Sequence, residues 1–372
     1  MSDQQFAIDG AGTETAGIDN WRRVNRLDLD LLDRPQQYEI FDPGLVEAVN
    51  TALGLGMPLL VTGEPGVGKS TLARFVAHKL GCGLPLGFRV KSTTEGRDLL
   101  YQIDQLRRMA DAYRRGESGA DDIRKYVEFN ALGKAVLRTW PRQRLEDDNL
   151  HAHAWPVNNA DAEQEPGWGD ARSSVVLIDE IDKATTDVPN DLLEELRTLS
   201  FSVPELPHLP IALYKGENND QSAYRPFVLI TSNSERSLPE AFLRRCVYYH
   251  MQFPEHPDDA SDEGENKRRY DAMVNAINQR IDALFSTTRQ TNYLENRSAA
   301  WQAFWALRRN GTGLQRKPST GELLNWLSSV CSPANSELRI GSEAWCRLGC
   351  QLLVKQRDDV DTAWQLLRGS NY

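Results

Sequence analysis

Pro58-Leu59-Leu60-Val61-Thr62-Gly63-Glu64-Pro65-Gly66-Val67-Gly68-Lys69-Ser70-Thr71 is the stretch that decides how this chain folds. Its first five residues are a short apolar run between proline and glycine, the pattern of a strand buried on both faces. Gly63 to Ser70 then fits G-x-x-x-x-G-K-[S/T] at every position. Ser70 to Leu80 reads as a helix. Strand, glycine-rich turn and helix in that order make a phosphate cradle. Glycines let the backbone wrap a polyanion so that successive N–H groups face it, and the helix N-terminus adds positive potential. Gly63, Glu64, Pro65, Gly66, Val67, Gly68, Lys69, Ser70 and Thr71 are therefore expected to hold a nucleoside triphosphate, with ATP the expected one. Lys69 brings a point charge to the β- and γ-phosphates, and the Ser70 hydroxyl is placed to ligate Mg2+.

Two further apolar runs end in polar residues. Val175-Val176-Leu177-Ile178 runs into Asp179-Glu180. In a parallel sheet the C-terminal ends of the strands line the ligand crevice. Asp179 is expected to hold Mg2+ directly or through water, and Glu180 to polarise the attacking water as general base. Phe227-Val228-Leu229-Ile230-Thr231-Ser232 ends at Asn233, which is placed to orient that water or touch the γ-phosphate.

Outward from these motifs the texture changes. Asp42-Pro43 opens a helix through Leu53, with proline in the first turn. Phe88 to Lys91 is expected as a further strand. Residues 99–145 read as a mostly helical, charged insert, broken at Gly116–Gly119. Residues 146–172 are acidic and aperiodic and read as a mobile loop, which makes His151 and His153 loop residues rather than metal ligands. Phe201 to Tyr224 reads as irregular. After Pro254 the signals are helical, near 265–286, 297–309, 320–330, 342–356 and 359–368, and Ser319 with Glu322 fits a capping box. The expected organisation is a disordered tail over 1–20, an α/β core over 21–254 with a parallel sheet between helices, and an all-helical domain over 255–372.

Composition narrows the function classes. The chain has 372 residues, a formal net charge of -10 and a pI near 5.3. An overall acidic field repels phosphate, which counts against sequence-independent nucleic-acid binding. The five cysteines are scattered and odd in number, the pattern of reduced thiols. No apolar run approaches a membrane span, and residues 1–20 lack the features of a signal peptide, so the expected location is cytoplasmic.

The order of these motifs resembles an AAA+ ATPase. Leu238-Pro239-Glu240-Ala241-Phe242-Leu243-Arg244-Arg245-Cys246 resembles the MoxR-type branch in particular. So do Glu64 to Ser70, Ser92-Thr93-Thr94-Glu95 with Asp98 to Tyr101, and Lys317-Pro318-Ser319-Thr320 with Glu322-Leu323-Leu324. The resemblance spans residues 38 to 330. It implies an AAA+ P-loop NTPase core with a helical lid, assembled as a homo-oligomeric ring, a hexamer in this family. Arg245 or Arg244 matches the arginine finger that completes a neighbour's site. The family's finger follows an aspartate, whose place Arg244 takes here, so both arginines stand as candidates. Arg316 and Lys317 match the basic position at the start of a lid helix, with Lys317 as the expected nucleotide contact. The resemblance also implies chaperone-like remodelling of a client or partner protein, a von Willebrand A-domain partner and a bacterial defence setting. The alternatives are a nucleic-acid-directed motor, such as a helicase or restriction-type NTPase subunit, and a scaffold that binds nucleotide without turnover.

Overall fold

The computed structural model describes residues 42–115, 123–155, 169–206, 209–215, 224–257, 264–285, 293–309, 311–332, 335 and 338–369. The tail expected over 1–20 and the break at Gly116–Gly119 lie outside them. The described residues fall into two units, one from Asp42 to Phe253 and one from Pro254 on.

Strands of the first unit are β1 (Leu59–Gly63), β2 (Leu86–Arg89), β3 (Tyr101–Ile103), β4 (Val127–Phe129), β5 (Val175–Asp179), β6 (Ser200–Phe201), β7 (Ile211–Ala212), β8 (Phe227–Ser232) and β9 (Val247–Met251). Five of them form a parallel sheet in the order β2-β5-β8-β1-β9. Every residue of β1 and β8 is buried. Their unbroken apolar runs suit strands covered on both faces. β2 and β9 alternate between more and less covered positions, as edge strands do. Parallel strands return through helices, as α2 (Lys69–Lys79) does between β1 and β2, while α1 (Pro43–Leu55) leads into β1. Asp42 caps α1 as expected, its Oδ1 accepting from the N–H groups of Gly44 (3.0 Å) and Leu45 (3.2 Å). Leu72, Ala73, Val76 and Ala77 of α2 are buried where that helix packs on the sheet.

Several expectations need correction. β9 was not anticipated: Val247-Tyr248-Tyr249-His250-Met251 has no apolar run, because an edge strand buries little of itself. β2 begins two residues before the expected Phe88. The 99–145 stretch is mostly helical among its described residues, but it also carries strands. It opens with β3 and closes an antiparallel pair with β4, and between them lies helix α3 (Gln105–Arg115). Its last third is core rather than insert: α4 (Ala131–Leu137) packs on β2 and β5 with all but Lys134 buried. The expected loop 146–172 starts as structure. α5 (Arg142–Asp147) is followed by α6 (His151–Ala154), and Leu150, Ala154 and Trp155 are fully buried. Trp155 lies between two guanidinium groups, Arg138 at 4.2 Å and Arg172 at 4.8 Å from its ring centroid. Such stacking holds a segment whose composition alone reads as loop. Residues 156–168 lie outside the described set. Within 201–224, β6 pairs antiparallel with β7, and 207–208 and 216–223 are not described. Helices α7 (Asp187–Asp191), α8 (Leu193–Thr198) and α9 (Glu240–Leu243) complete the unit.

In the second unit α10 (Glu265–Leu284), α11 (Tyr293–Arg308), α12 (Thr320–Val330), α13 (Glu343–Leu353) and α14 (Val360–Gly369) follow the predicted helices closely. The capping box forms: the Ser319 N–H and Oγ both reach Glu322 Oε2, at 2.5 and 2.6 Å. Trp326 meets Trp345 edge-on, with ring centroids 4.7 Å apart, in the centre of this bundle. All five cysteines are buried free thiols, Cys346 and Cys350 one turn apart on α13. Burial pushes the Cys246 and Cys331 thiols up to about 12, which removes them as nucleophiles at neutral pH. Among the described residues no helix is long and apolar enough to cross a membrane.

Candidate nucleotide site

The loop after β1 is shaped by backbone that side chains cannot adopt. Gly63 has φ 144°, and a Cβ there would lie 2.3 Å from the Met251 carbonyl oxygen. Gly68 is the N-cap of α2 at φ 103°, and no side chain caps that helix. The first N–H groups of α2 are thus left to face an incoming anion. Lys69 is the first residue of α2 and is 7% exposed. Its Nζ donates to the carbonyls of Gly63 (2.7 Å) and Glu64 (2.9 Å), so the ammonium sits inside the loop. Burial lowers its pKa, against the opposing fields of Asp179, Asp182, Glu180 and Glu64.

The acidic pair arrives from two strands away. β5 lies beside β8, and β8 beside β1, so the C-terminal ends of all three meet at this loop. Ser70 Oγ donates to Asp179 Oδ1 at 2.8 Å, and Thr231 Oγ1 donates to the same oxygen at 2.6 Å. Ser70 and Asp179 together give a hard oxygen pair beside a phosphate cradle, which fits Mg2+, an ion that completes its octahedron with water and substrate phosphates. When bound, the ion would draw charge from the β- and γ-phosphate oxygens. Among the described residues no cluster of three or more His, Cys, Asp or Glu could hold a metal without such help.

Glu180 sits at φ 61°, a left-handed conformation that costs a glutamate on the order of 1 kcal/mol. Its N–H donates to Thr231 Oγ1 at 3.0 Å. Thr231 therefore fixes both acids at once, accepting from one backbone and donating to the other carboxylate. Glu180 Oε2 is held by Arg89 Nε (2.9 Å) from β2 and Lys183 Nζ (2.6 Å). Burial raises the Glu180 pKa, but these two cations outweigh it and keep the carboxyl below its usual range. Asp182, 2% exposed, accepts from the backbone N–H groups of Asn233 (Oδ1 and Oδ2, both 3.2 Å) and Glu235 (3.0 Å) and so sets the turn after β8. Asn233 follows the last residue of β8, between the ends of β5 and β1 in the sheet. A family model for the AAA domain of the dynein-related subfamily matches residues 58–246, which carry all of these groups. The chain belongs to this family.

A search of curated proteins found no match. Among solved structures, the AAA chain is similar to Hsp104 in a closed-state cryo-electron microscopy reconstruction with ATPγS and FITC-casein. Identity is 15%, over 75% of this chain and 42% of that one, with a TM-score of 0.33. This chain thus spans less than half the length of that protein.

Four residues of the AAA domain's site were not singled out from sequence: Arg89, Asp182, Lys183 and Thr231. A threonine directly after the apolar run Phe227–Ile230 and the Asp-Glu-x-Asp spacing were the available signals. The remaining sequence candidates lie elsewhere. Arg244 and Arg245 precede β9 at the N-terminal end of the sheet, where they help line a cavity of about 280 Å3 with Arg197, Arg225 and Phe242. Lys317 belongs to the second unit, in the segment entering α12, where its neighbour Arg316 pairs with Glu322 at 3.1 Å.

Proposed function

We propose that this AAA-family chain is a MoxR-type AAA+ ATPase that hydrolyses ATP in a ring, a hexamer by family resemblance, and spends the energy remodelling a partner protein. The observation that supports it best is a separation within one sheet. Lys69, Ser70, Asp179 and Glu180 cluster at the C-terminal ends of β1 and β5. Arg244 and Arg245 lie before the first residue of β9, which pairs Val247 with Leu59 and Met251 with Gly63. Four residue steps of strand span about 13 Å. An arginine two residues further back cannot touch the phosphates of its own loop, so a finger role for it must be played on a neighbour. Of the two, Arg244 is ion-paired with Glu240, whereas Arg245 donates to the Ala241 carbonyl at 3.3 Å. A neutral carbonyl is the weaker hold, and we assign the finger to Arg245.

In the mechanism this implies, Lys69 leaves the Gly63 and Glu64 carbonyls for the β- and γ-phosphates. Glu180 takes a proton from the attacking water while Asn233 orients it. Ser70 and Asp179 would hold Mg2+. A von Willebrand A-domain protein as partner and a defence setting rest on the family resemblance.

A site shared between subunits makes specific activity depend on assembly. Phosphate release per protomer should rise with protein concentration and plateau once rings form, as read by sedimentation in the same samples. A flat profile in a sedimenting monomer would sink the shared site, and stimulation by single-stranded DNA that fades with salt would favour a nucleic-acid motor.

The Arg89–Glu180 pair gives a second test. Arg89 is mostly exposed, so its hold on the base is at the weak end, worth up to about 1 kcal/mol. Arg89→Met should therefore raise basal turnover by no more than about fivefold as Glu180 is released. A base held below its usual pKa stays ionised, and active, to lower pH. Removing Arg89 raises that pKa, so the acid limb of the kcat–pH profile should move to higher pH. An unmoved limb would show that another group sets it.

A further inference from the structure

Asp182 is a carboxylate buried beside the site, and its described hydrogen bonds all go to main-chain N–H groups. Oδ1 accepts from Asn233 at 3.2 Å, and Oδ2 accepts from Asn233 at 3.2 Å and from Glu235 at 3.0 Å. A carboxylate is costly to bury, and it is kept where it makes charge-assisted bonds of this kind. Two turns meet at it. The first leaves β5 through Glu180, at φ 61°, into the short 3-10 turn Ile181–Lys183 that carries Asp182. The second leaves β8 through Asn233 into Ser234, at φ 60°. Neither Glu180 nor Ser234 is a glycine, so each left-handed conformation is unfavourable and persists only where its surroundings impose it.

Thr231 holds the first turn by accepting from the Glu180 N–H. Asp182 holds the second: its bonds to Asn233 and Glu235 straddle Ser234, whose own N–H donates to Ser232 Oγ at 3.0 Å. Glu180 and Asn233 are the two residues assigned to the attacking water, and Asp182 ties the turn that follows one to the turn that carries the other. We propose that Asp182 is a positioning residue for hydrolysis: it fixes Asn233 relative to Glu180 and so aims the Asn233 side chain at the attacking water. Asp182 itself touches neither the water nor the nucleotide in this scheme. The inference rests on the proposed ATPase mechanism and adds to it the group that sets the distance between its two water-handling residues.

The test measures phosphate release and ATP binding in variants of the full chain. Asp182→Ala removes the acceptor. Asp182→Asn keeps one oxygen, which can stand where Oδ2 bonds both N–H groups. The alanine variant should lose at least about tenfold in kcat while its affinity for ATP stays within about threefold, since misplacing a group that acts on the attacking water costs rate more than binding. The asparagine variant should recover to within about threefold of the wild type, because the bonds rather than the charge hold the turn. Asn233→Ala should also lose at least about tenfold in kcat. The double variant Asp182→Ala/Asn233→Ala should then stay within about threefold of Asn233→Ala alone, because no side chain is left to aim. A carboxylate that only stabilises the fold would multiply the two losses instead, and that result overturns the inference. So does an unchanged kcat in Asp182→Ala, a loss of ATP affinity as large as the loss of kcat, or an asparagine variant as impaired as the alanine one. If Asp182→Ala does not fold, Asp182→Ser, whose shorter hydroxyl cannot reach both N–H groups, carries the same comparisons. Wild-type turnover in Asn233→Ala would remove Asn233 from the proposed mechanism and this inference with it, whereas multiplied losses beside an impaired Asn233→Ala would overturn this inference alone.

Discussion

Arg245→Ala should lower kcat by about 10³-fold or more while leaving nucleotide affinity unchanged, because a finger acts on charge that develops in the transition state. The size follows from the setting. Lys69 and the α2 N-terminus can neutralise the ground-state phosphates, but the other cations described at that edge of the sheet, Arg89 and Lys183, are paired with Glu180. Arg244→Ala should cost far less, since its guanidinium is paired with Glu240. The decisive measurement is a mixing experiment. Arg245→Ala protomers keep an intact phosphate loop, and Lys69→Ala protomers keep an intact arginine. Each alone should be inactive, and mixtures should regain phosphate release at interfaces that join the two. No recovery at any ratio would mean that the arginine does not act between subunits.

Glu180→Gln should retain ATP binding and lose about 10²- to 10⁴-fold in kcat, the usual contribution of a positioned general base. The amide keeps an acceptor oxygen for Arg89 and Lys183, so the local hydrogen bonds survive and the proton acceptor does not. Asp179→Asn should fail differently: Ser70 and Thr231 both donate to Asp179 Oδ1, and the loss should appear as a raised Mg2+ requirement. Quenched-flow phosphate release alongside fluorescent-nucleotide binding separates the two. A glutamine variant that hydrolyses ATP at the wild-type rate would remove Glu180 from the mechanism.

How much was legible depended on whether a residue's role is local. The loop Gly63 to Ser70, the strand ends at Asp179 and Asn233, and the capping box at Ser319 are runs whose neighbours in sequence are their neighbours in space, and each forms. β9 was missed because an edge strand need not be apolar, and Val247 to Met251 is not. Trp155 was read as loop because its partners, Arg138 and Arg172, come from 17 residues away on either side. α3 was read as part of a charged helical insert, since periodicity shows that a helix has an apolar face but not which way the face points.

The sequence by itself determined the phosphate cradle, the acids at the ends of apolar strands, the α/β class and the helices after Pro254, since glycine conformations, strand periodicity and helix caps are properties of short segments. Only the tertiary structure decided that Thr231 ties Asp179 to the Glu180 backbone, that Arg89 and Lys183 hold the Glu180 carboxylate, that Arg244 and Arg245 stand at the far end of the sheet from their own glycine-rich loop, and that Leu106, Met109 and Tyr113 face outward. Each of these depends on strand order and register, which are set by packing between segments far apart in the chain.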